Sequence, residues 1–469
     1  MTADLIVRHP RGRTAERAYV YRQVLGDWLG LDVRCEAEDR DDVLLQCPAA
    51  GDAVDVRVCD GLLGEGPERW LRPDSVPQGA PVPLVGSRHL AGALLESDTV
   101  LPWAPPHRPC EVAYRAEGSI DIGGDLFGAT FFFLTRYEEV AAPAADVFGR
   151  FPAASSWAVR HDLIERPLVD EYLAVIRAAL TRAWPRLILR QPEPRVIVSH
   201  DVDLPLRYRW SGAARTFAGG LRDWIGGGQT HMLSRRMSDW YAVRHRAEFA
   251  RDPYNTFDRL AASSERRGAP SAFYFIAERT SKQRDGLYEI DDPFIAELLG
   301  RLGRAGQEIG LHPSFETWLD AAQTRRELDR LVTVCHRQGV RPERVGGRQH
   351  YLRWRAPTTW LNWESAGLSY DSSVGFAERA GFRAGTAREF RAFDVHAART
   401  LSLLERPLVV MDSTLLDYMK LGPSDAAIAL GRTLRARCLA LGGNFSVLWH
   451  NSNLTTPAHW RVFQALVEA

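Results

Sequence analysis

From Arg195 to its C-terminus the chain alternates short β-type runs with amphipathic helical stretches, and this alternation restricts the fold more than any other feature. The runs are RVIVSHD, SAFYFIA, QEIGLH, RVGGRQHY, GLSYDSS, PLVVMDS and NFSVLWH. Strands separated by helices pair in parallel, because only a long crossover can return the chain to the same direction. Two intervening helices are well marked. Asp292 to Arg304 sets Phe294, Ile295, Leu298, Leu299 and Leu302 on one face and stops at Gly306. Thr324 and Glu327 read as a capping box ahead of Leu328, Leu331, Val332 and Cys335, with Gly339 as the stop. A parallel α/β sheet or barrel is the expected architecture.

These runs are apolar until their last positions, where they deliver residues with chemistry. Asp201 and Asp203 end the first, His312 the third, Arg348 the fourth, Asp371 the fifth, Asp412 the sixth and His450 the seventh. In parallel α/β folds all C-terminal strand ends open on one face, where active sites are built. Each residue alone has an ordinary structural explanation. His312 or His450 fits a hydrogen-bonded core histidine, Asp371 a turn former and Arg348 an ion-pair partner. Their joint placement is what points to a site.

At 469 residues the chain exceeds the size of one growing core, so two domains are expected. The two prolines of QPEPR interrupt a helix spanning Pro167 to Trp184 before VIVSHD begins, which places a linker at about Leu187 to Arg195. The expected division is an N-terminal α/β domain over 1–190 and a catalytic region over 195–469. In the first, Glu16 to Leu29 reads as helical. The aromatic string DLFGATFFFLTRYEE reads as core and domain interface in preference to a ligand surface. In the second, residues 204–254 carry no strand pattern and are too long for a passive loop. They read as a lid or substrate-binding insertion, whose Trp210, Trp224 and Trp240 either stack on sugar rings or anchor the insertion.

Composition excludes several functions. Lys+Arg and Asp+Glu number 59 each, so no basic field exists to hold nucleic acid or an anionic membrane. The six cysteines lack paired spacing and read as free thiols in a reducing compartment. MTADLIVRHPRGR has no apolar signal core, and no transmembrane run occurs, so a cytoplasmic location is expected.

In order and spacing, SHDVD, EIGLHPSFE, GGRQHY, YDSS and VLWHN resemble the motifs of the polysaccharide deacetylase superfamily, carbohydrate esterase family 4, over about residues 195 to 460. The chain is most similar to the subset from surface-polysaccharide gene clusters that carries an extra N-terminal domain. The resemblance implies a distorted (β/α) barrel and a divalent metal, zinc first, with manganese, cobalt or nickel as alternatives. It implies Asp201 as catalytic base and Asp203 as metal ligand. The second motif of the family reads H-x-x-x-H, but this chain has His312 followed by Glu316, so Asp203, His312 and Glu316 are the expected ligand set. The family's R-x-P-Y reads RQHY here, which assigns Arg348 to orienting Asp201 and the backbone near Tyr351 to the oxyanion. His450 is the implied general acid, with Asp371 orienting it.

The implied reaction is removal of an N-acetyl group from an amino sugar of a cell-surface polysaccharide or its precursor, as in exopolysaccharide biosynthesis. The sugar would be an N-acetylated substrate on a lipid carrier or a nucleotide. Two other readings stand beside this one: a carbohydrate-binding scaffold that has lost the metal, and an amide hydrolase acting on a small non-sugar metabolite.

Overall fold

The computed structural model describes residues 4–50, 54–104, 108–213, 217 and 230–468. Nine strands of the C-terminal region form one sheet. Val410–Met411 lies at one edge, followed by Phe445–Leu448, Val196–Val202, Ala272–Phe275, Glu308–Leu311, Gly346–Gly347, Tyr370–Asp371, Arg399–Glu405 and Phe390–Asp394 at the other. All neighbours pair in parallel except the last two, which form an antiparallel hairpin. Parallel strands are covered on both faces, which is why the Ala272–Phe275 and Phe445–Leu448 strands are buried at every position.

The distorted barrel that was expected is not closed here: the sheet is open. Among the described residues no ladder joins Val410–Met411 to Arg399–Glu405. A non-strand segment fills the gap with single backbone bonds: Leu408 N donates to Val374 O (3.1 Å), and Gly381 N to Val409 O (2.9 Å). The shortest inner strand depends on glycine. A Cβ on Gly347 would stand 1.8 Å from Leu311 O, so only glycine lets this strand close on its neighbour and present Arg348 at its end.

The N-terminal segment forms a six-stranded mixed sheet in the order Val33–Glu38, Leu5–Pro10, Asp42–Gln46, Val56–Cys59, Ile120–Ile122, Val112–Tyr114. The aromatic string forms the wholly buried helix Leu126–Leu134, whose cap Asp125 accepts from Gly128 N at 2.8 Å. Its neighbour Glu139 pairs with Arg383 at 2.7 Å. Tyr19 and Phe131 pack on Phe393 with centroids 4.6 and 5.5 Å away, and Tyr19 OH donates to Arg391 O at 2.7 Å. Most buried apolar residues of both regions belong to one contiguous core, with smaller clusters beside it.

Several local expectations change. The helix Pro293–Arg304 starts at its Asp292 cap, but the next, Ala321–Arg337, is capped by Asp320, which accepts from Gln323 N at 2.9 Å. Thr324 and Glu327 are not its capping box. Glu327 is buried and accepts from Ser314 N (2.9 Å) and Thr317 Oγ1 (2.9 Å). The stretch read as one helix from Glu16 is a helix over Thr14–Tyr21 that widens to π-type turns over Arg22–Trp28. In the insertion, Trp240 Nε1 donates to Ser211 O (2.9 Å) and Trp210 packs on Tyr288 at 6.0 Å, so these two rings anchor it; Trp224 lies outside the described residues. Asn451 Nδ2 ties both ends of the insertion together, donating to Leu204 O (3.0 Å) and Tyr254 O (2.8 Å).

Candidate metal centre

The parallel register brings Asp201, Asp203, His312, Arg348 and His450 to one edge of the sheet, and His350 joins them. Asp203, His312 and His350 each offer one ligand atom, all within 4.8 Å of one another. His312 Nε2 is 3.1 Å and His350 Nε2 3.6 Å from Asp203 Oδ1, yet that buried oxygen has no well-directed hydrogen bond.

The outer nitrogens explain the arrangement. His312 Nδ1 donates to Arg348 O at 2.6 Å, and His350 Nδ1 donates to Asp285 Oδ1 at 3.0 Å. With both Nδ1 atoms engaged as donors, each ring turns its Nε2, the nitrogen left for a cation, toward Asp203. Carbonyl or carboxylate partners behind an imidazole are the usual support of metal-ligating histidines. Two imidazole nitrogens and an unsatisfied carboxylate oxygen converging on one point fit a divalent cation. Burial works against the charge of Asp203, but His350 and His312 hold its carboxyl well below the usual carboxylate range. Burial also opposes the charge of His350, yet Asp203 and Asp285 on either side push it up to about 9.

Glu316 does not belong to this group. Its side chain is 57% exposed and pairs with Arg353 Nη1 at 3.0 Å. An i,i+4 ligand pair needs a helical turn to bring both side chains to one face. Here Pro313 follows His312, and Ser314 is held by Glu327 through its amide, so the chain leaves His312 without such a turn. Among the described residues the donor that stands beside Asp203 and His312 is His350, whereas sequence reasoning expected Glu316.

Asp201 is buried beside the group, with Oδ1 accepting from Arg348 Nη1 at 2.8 Å and Oδ2 3.8 Å from His312 Nε2. Arg348 is buried too, and its other donors go to Ser372 O (2.9 Å), Ser372 Oγ (2.9 Å) and Ser199 Oγ (3.0 Å). With all three of its nitrogens engaged, this guanidinium fixes the Asp201 carboxylate in one orientation.

His450 follows the Phe445–Leu448 strand, and its Nε2 lies 3.5 Å from Asp203 Oδ2. Its partner is Asp412, not Asp371: Asp412 Oδ1 accepts from His450 Nδ1 at 2.7 Å and Oδ2 from the His450 amide at 2.8 Å. Burial opposes the charge on His450, but Asp412 and the carboxylates of Asp203 and Asp201 push it up to about 10. Asp371 instead accepts from Ser373 N (2.9 Å) and Ser373 Oγ (2.5 Å), and burial raises its carboxyl to about 7. Tyr351 follows His350 in a left-handed conformation, φ 61° and ψ 12°. Sequence reasoning noted Asp412 without giving it a role and passed over His350 and Asp285.

Residues 5–185 match a family of unknown function, DUF7033. No curated protein matches the chain. Among solved structures, a protein assigned as a polysaccharide deacetylase from Mycobacterium smegmatis is 18% identical. The alignment covers 60% of this chain and 85% of that one, with a TM-score of 0.36. A second, assigned as a polysaccharide deacetylase from Pseudomonas aeruginosa PAO1, is 14% identical over 59% of this chain and 84% of its own, with a TM-score of 0.34. The Puue allantoinase is 14% identical over 58% and 83%, with a TM-score of 0.33. Among the described residues no helix is long and apolar enough to cross a membrane.

Proposed function

We propose that this chain is a metal-dependent hydrolase that removes an N-acetyl group from an amino sugar of a cell-surface polysaccharide or its precursor. The observation that carries the proposal is the convergence of His312 Nε2, His350 Nε2 and Asp203 Oδ1, with both Nδ1 atoms committed elsewhere and the Asp201 carboxylate and His450 imidazole beside them. The deacetylase motifs of the sequence supply the reaction class.

Asp203, His312 and His350 would hold the ion, zinc first by donor type, with manganese, cobalt or nickel as alternatives. When bound it supplies Lewis acidity, polarising an amide carbonyl and making water acidic. Asp201, held by Arg348, accepts the proton of the attacking water. His450 carries a proton on each ring nitrogen near neutral pH and gives one to the departing amine, without which the tetrahedral intermediate would collapse backwards. Asp412 keeps that ring in place and charged. The backbone at Tyr351 is the proposed oxyanion donor, a contact worth roughly 3 kcal/mol in such sites. Asp371 lies under this layer and has a structural role.

The deciding experiment measures metal content of protein purified without chelator and acetate release from free, nucleotide-linked and lipid-linked N-acetylhexosamine substrates. About one divalent ion per chain, with release abolished in Asp201→Asn and His450→Ala, is expected. Preference for a nucleotide- or lipid-linked sugar assigns a precursor. Absence of bound metal together with full activity in both variants overturns the proposal.

A further inference from the structure

We infer that the N-terminal segment is part of the metal centre: its turn from Asp146 to Arg150 fixes the stretch of backbone that carries His350. The inference rests on Asp203, His312 and His350 being metal ligands. His350 is followed by Tyr351 and Leu352, whose φ values are 61° and 52°. Residues with side chains avoid this left-handed region, because Cβ crowds the following carbonyl. Two in succession persist only where the surroundings over-determine them.

Part of that determination is local. Leu352 N donates to Gln349 O (2.9 Å), Arg353 N to His350 O (3.2 Å), and the Phe315 ring packs edge-on against Tyr351 at 5.2 Å. The rest crosses from the N-terminal segment. Arg150 Nη1 donates to the Tyr351 carbonyl at 3.1 Å, while Arg353 Nε donates back to the Phe148 carbonyl at 2.7 Å. The Phe148 ring lies 5.4 Å from that of Tyr351. Three contacts thus clamp Tyr351, the first residue of the strained pair, and Arg353, which follows it.

The clamping turn is itself fixed before it meets Tyr351. Asp146 accepts from Arg150 Nε (2.8 Å) and from the amides of Phe148 (2.8 Å) and Arg150 (2.9 Å), and its own amide donates to Arg150 O (2.9 Å). Gly149, at φ 80°, lies against Trp318, where a Cβ would come within 2.9 Å of the indole. Arg150 is buried, so its loss would strand the Tyr351 carbonyl without a partner. Neither Arg150 nor Phe148 touches a ligand atom. Both are positioning residues that act through the Tyr351 turn, and without them that turn relaxes and swings His350 away from Asp203. Residues 5–185 thereby acquire a role in the reaction.

The test is the zinc affinity of the full-length chain, read by competition with a chromophoric chelator, with far-UV circular dichroism as the check on folding. Arg150→Ala is expected to weaken zinc by about tenfold or more, the usual scale for groups that orient metal ligands. Arg150→Lys keeps one donor and should recover part of the loss. Tyr351→Asn in the Arg150→Ala background should recover more, since Asn tolerates the left-handed region. Should Arg150→Ala not fold, Asp146→Asn loosens the guanidinium while leaving an acceptor for the amides, and a smaller loss in the same direction is expected. Zinc binding by parent and all variants alike overturns this inference alone. A parent that binds no zinc overturns the metal-centre reading and this inference with it.

Discussion

His350 Nε2 stands 3.6 Å from Asp203 Oδ1 while His350 Nδ1 rests on Asp285 at 3.0 Å. The ring is thus suspended between two carboxylates, one behind it and one facing it. Asp285 is in turn held by amides, accepting from Phe315 N and Ser281 N at 2.7 Å each. Burial works against its charge, yet the hydrogen bonds from His350 and these amides keep the Asp285 carboxyl below the usual carboxylate range. The loop carrying Asp285 therefore sets the direction of the His350 ring, which belongs to a different strand end.

Metal affinity separates His350 from Glu316. His350→Ala removes one converging nitrogen and should cost roughly 10²-fold or more in zinc affinity, whereas Glu316→Ala removes only an exposed carboxylate paired with Arg353 and should bind zinc as the parent does. Isothermal titration with zinc on the two variants checks this, and a large loss in Glu316→Ala would restore it as a ligand.

Zinc affinity should also depend steeply on pH. His350 sits at about 9 without metal, so near neutrality an incoming ion must displace its proton. Apparent affinity is expected to climb by about tenfold per pH unit from pH 6 until it flattens near pH 9. Chelator competition across that range measures the slope. A flat profile would show that His350 carries no proton to displace.

The strand ends were legible in the sequence because a parallel sheet converts sequence order into spatial order. Asp201, Asp203, His312, Arg348 and His450 reach one edge without any tertiary information beyond that rule. His350 escaped notice although the signal was present. The motifs depart from the family twice, at the missing histidine of position 316 and at the histidine standing where RQHY would have a proline. Taken together, the two departures remove an imidazole at position 316 and supply one at position 350. What hides the exchange is backbone conformation: the left-handed Tyr351–Leu352 turn and the straight exit from His312 are set by Arg150, Arg353 and Glu327, contacts distant in sequence. The hairpin Phe390–Asp394 and Arg399–Glu405 was passed over for a different reason. Its charged residues interrupt the apolar run, although Leu401, Leu403 and Glu405 alternate inward.

Asp371 offers a stability measurement independent of metal. Burial raises its carboxyl to about 7, far above an unfolded aspartate, so the folded state holds a proton there that the unfolded chain has released. The resulting stabilisation is complete below about pH 4 and is lost as pH rises through 7, up to about 4 kcal/mol for an isolated group. Asp371→Asn keeps an oxygen for Ser373 but cannot ionise. Denaturant midpoints between pH 5 and pH 8.5 should therefore fall less steeply in Asp371→Asn than in the parent. Parallel profiles would remove Asp371 as the source of the slope.

Asp412 provides the last prediction, because it separates the charge of His450 from its place in the fold. It holds the ring at Nδ1 and the amide of the same residue, and its carboxylate is the main opposite charge that raises His450 to about 10. Asp412→Asn keeps an acceptor for one of these bonds and removes the charge. The imidazolium then becomes less favourable, and the pH above which the proton donor is lost moves down toward the ordinary histidine value of about 6.5. For a deacetylase whose leaving amine takes its proton from His450, the alkaline limb of kcat against pH should shift downward by a unit or more, roughly. The rate near pH 8 should fall by about 10- to 100-fold, while zinc content, set by Asp203, His312 and His350, stays as in the parent. Asp371→Asn serves as the contrast, with its alkaline limb unmoved. If Asp412→Asn keeps the parental limb and Asp371→Asn shifts it, the orienting role returns to Asp371 and the His450–Asp412 pair is structural only.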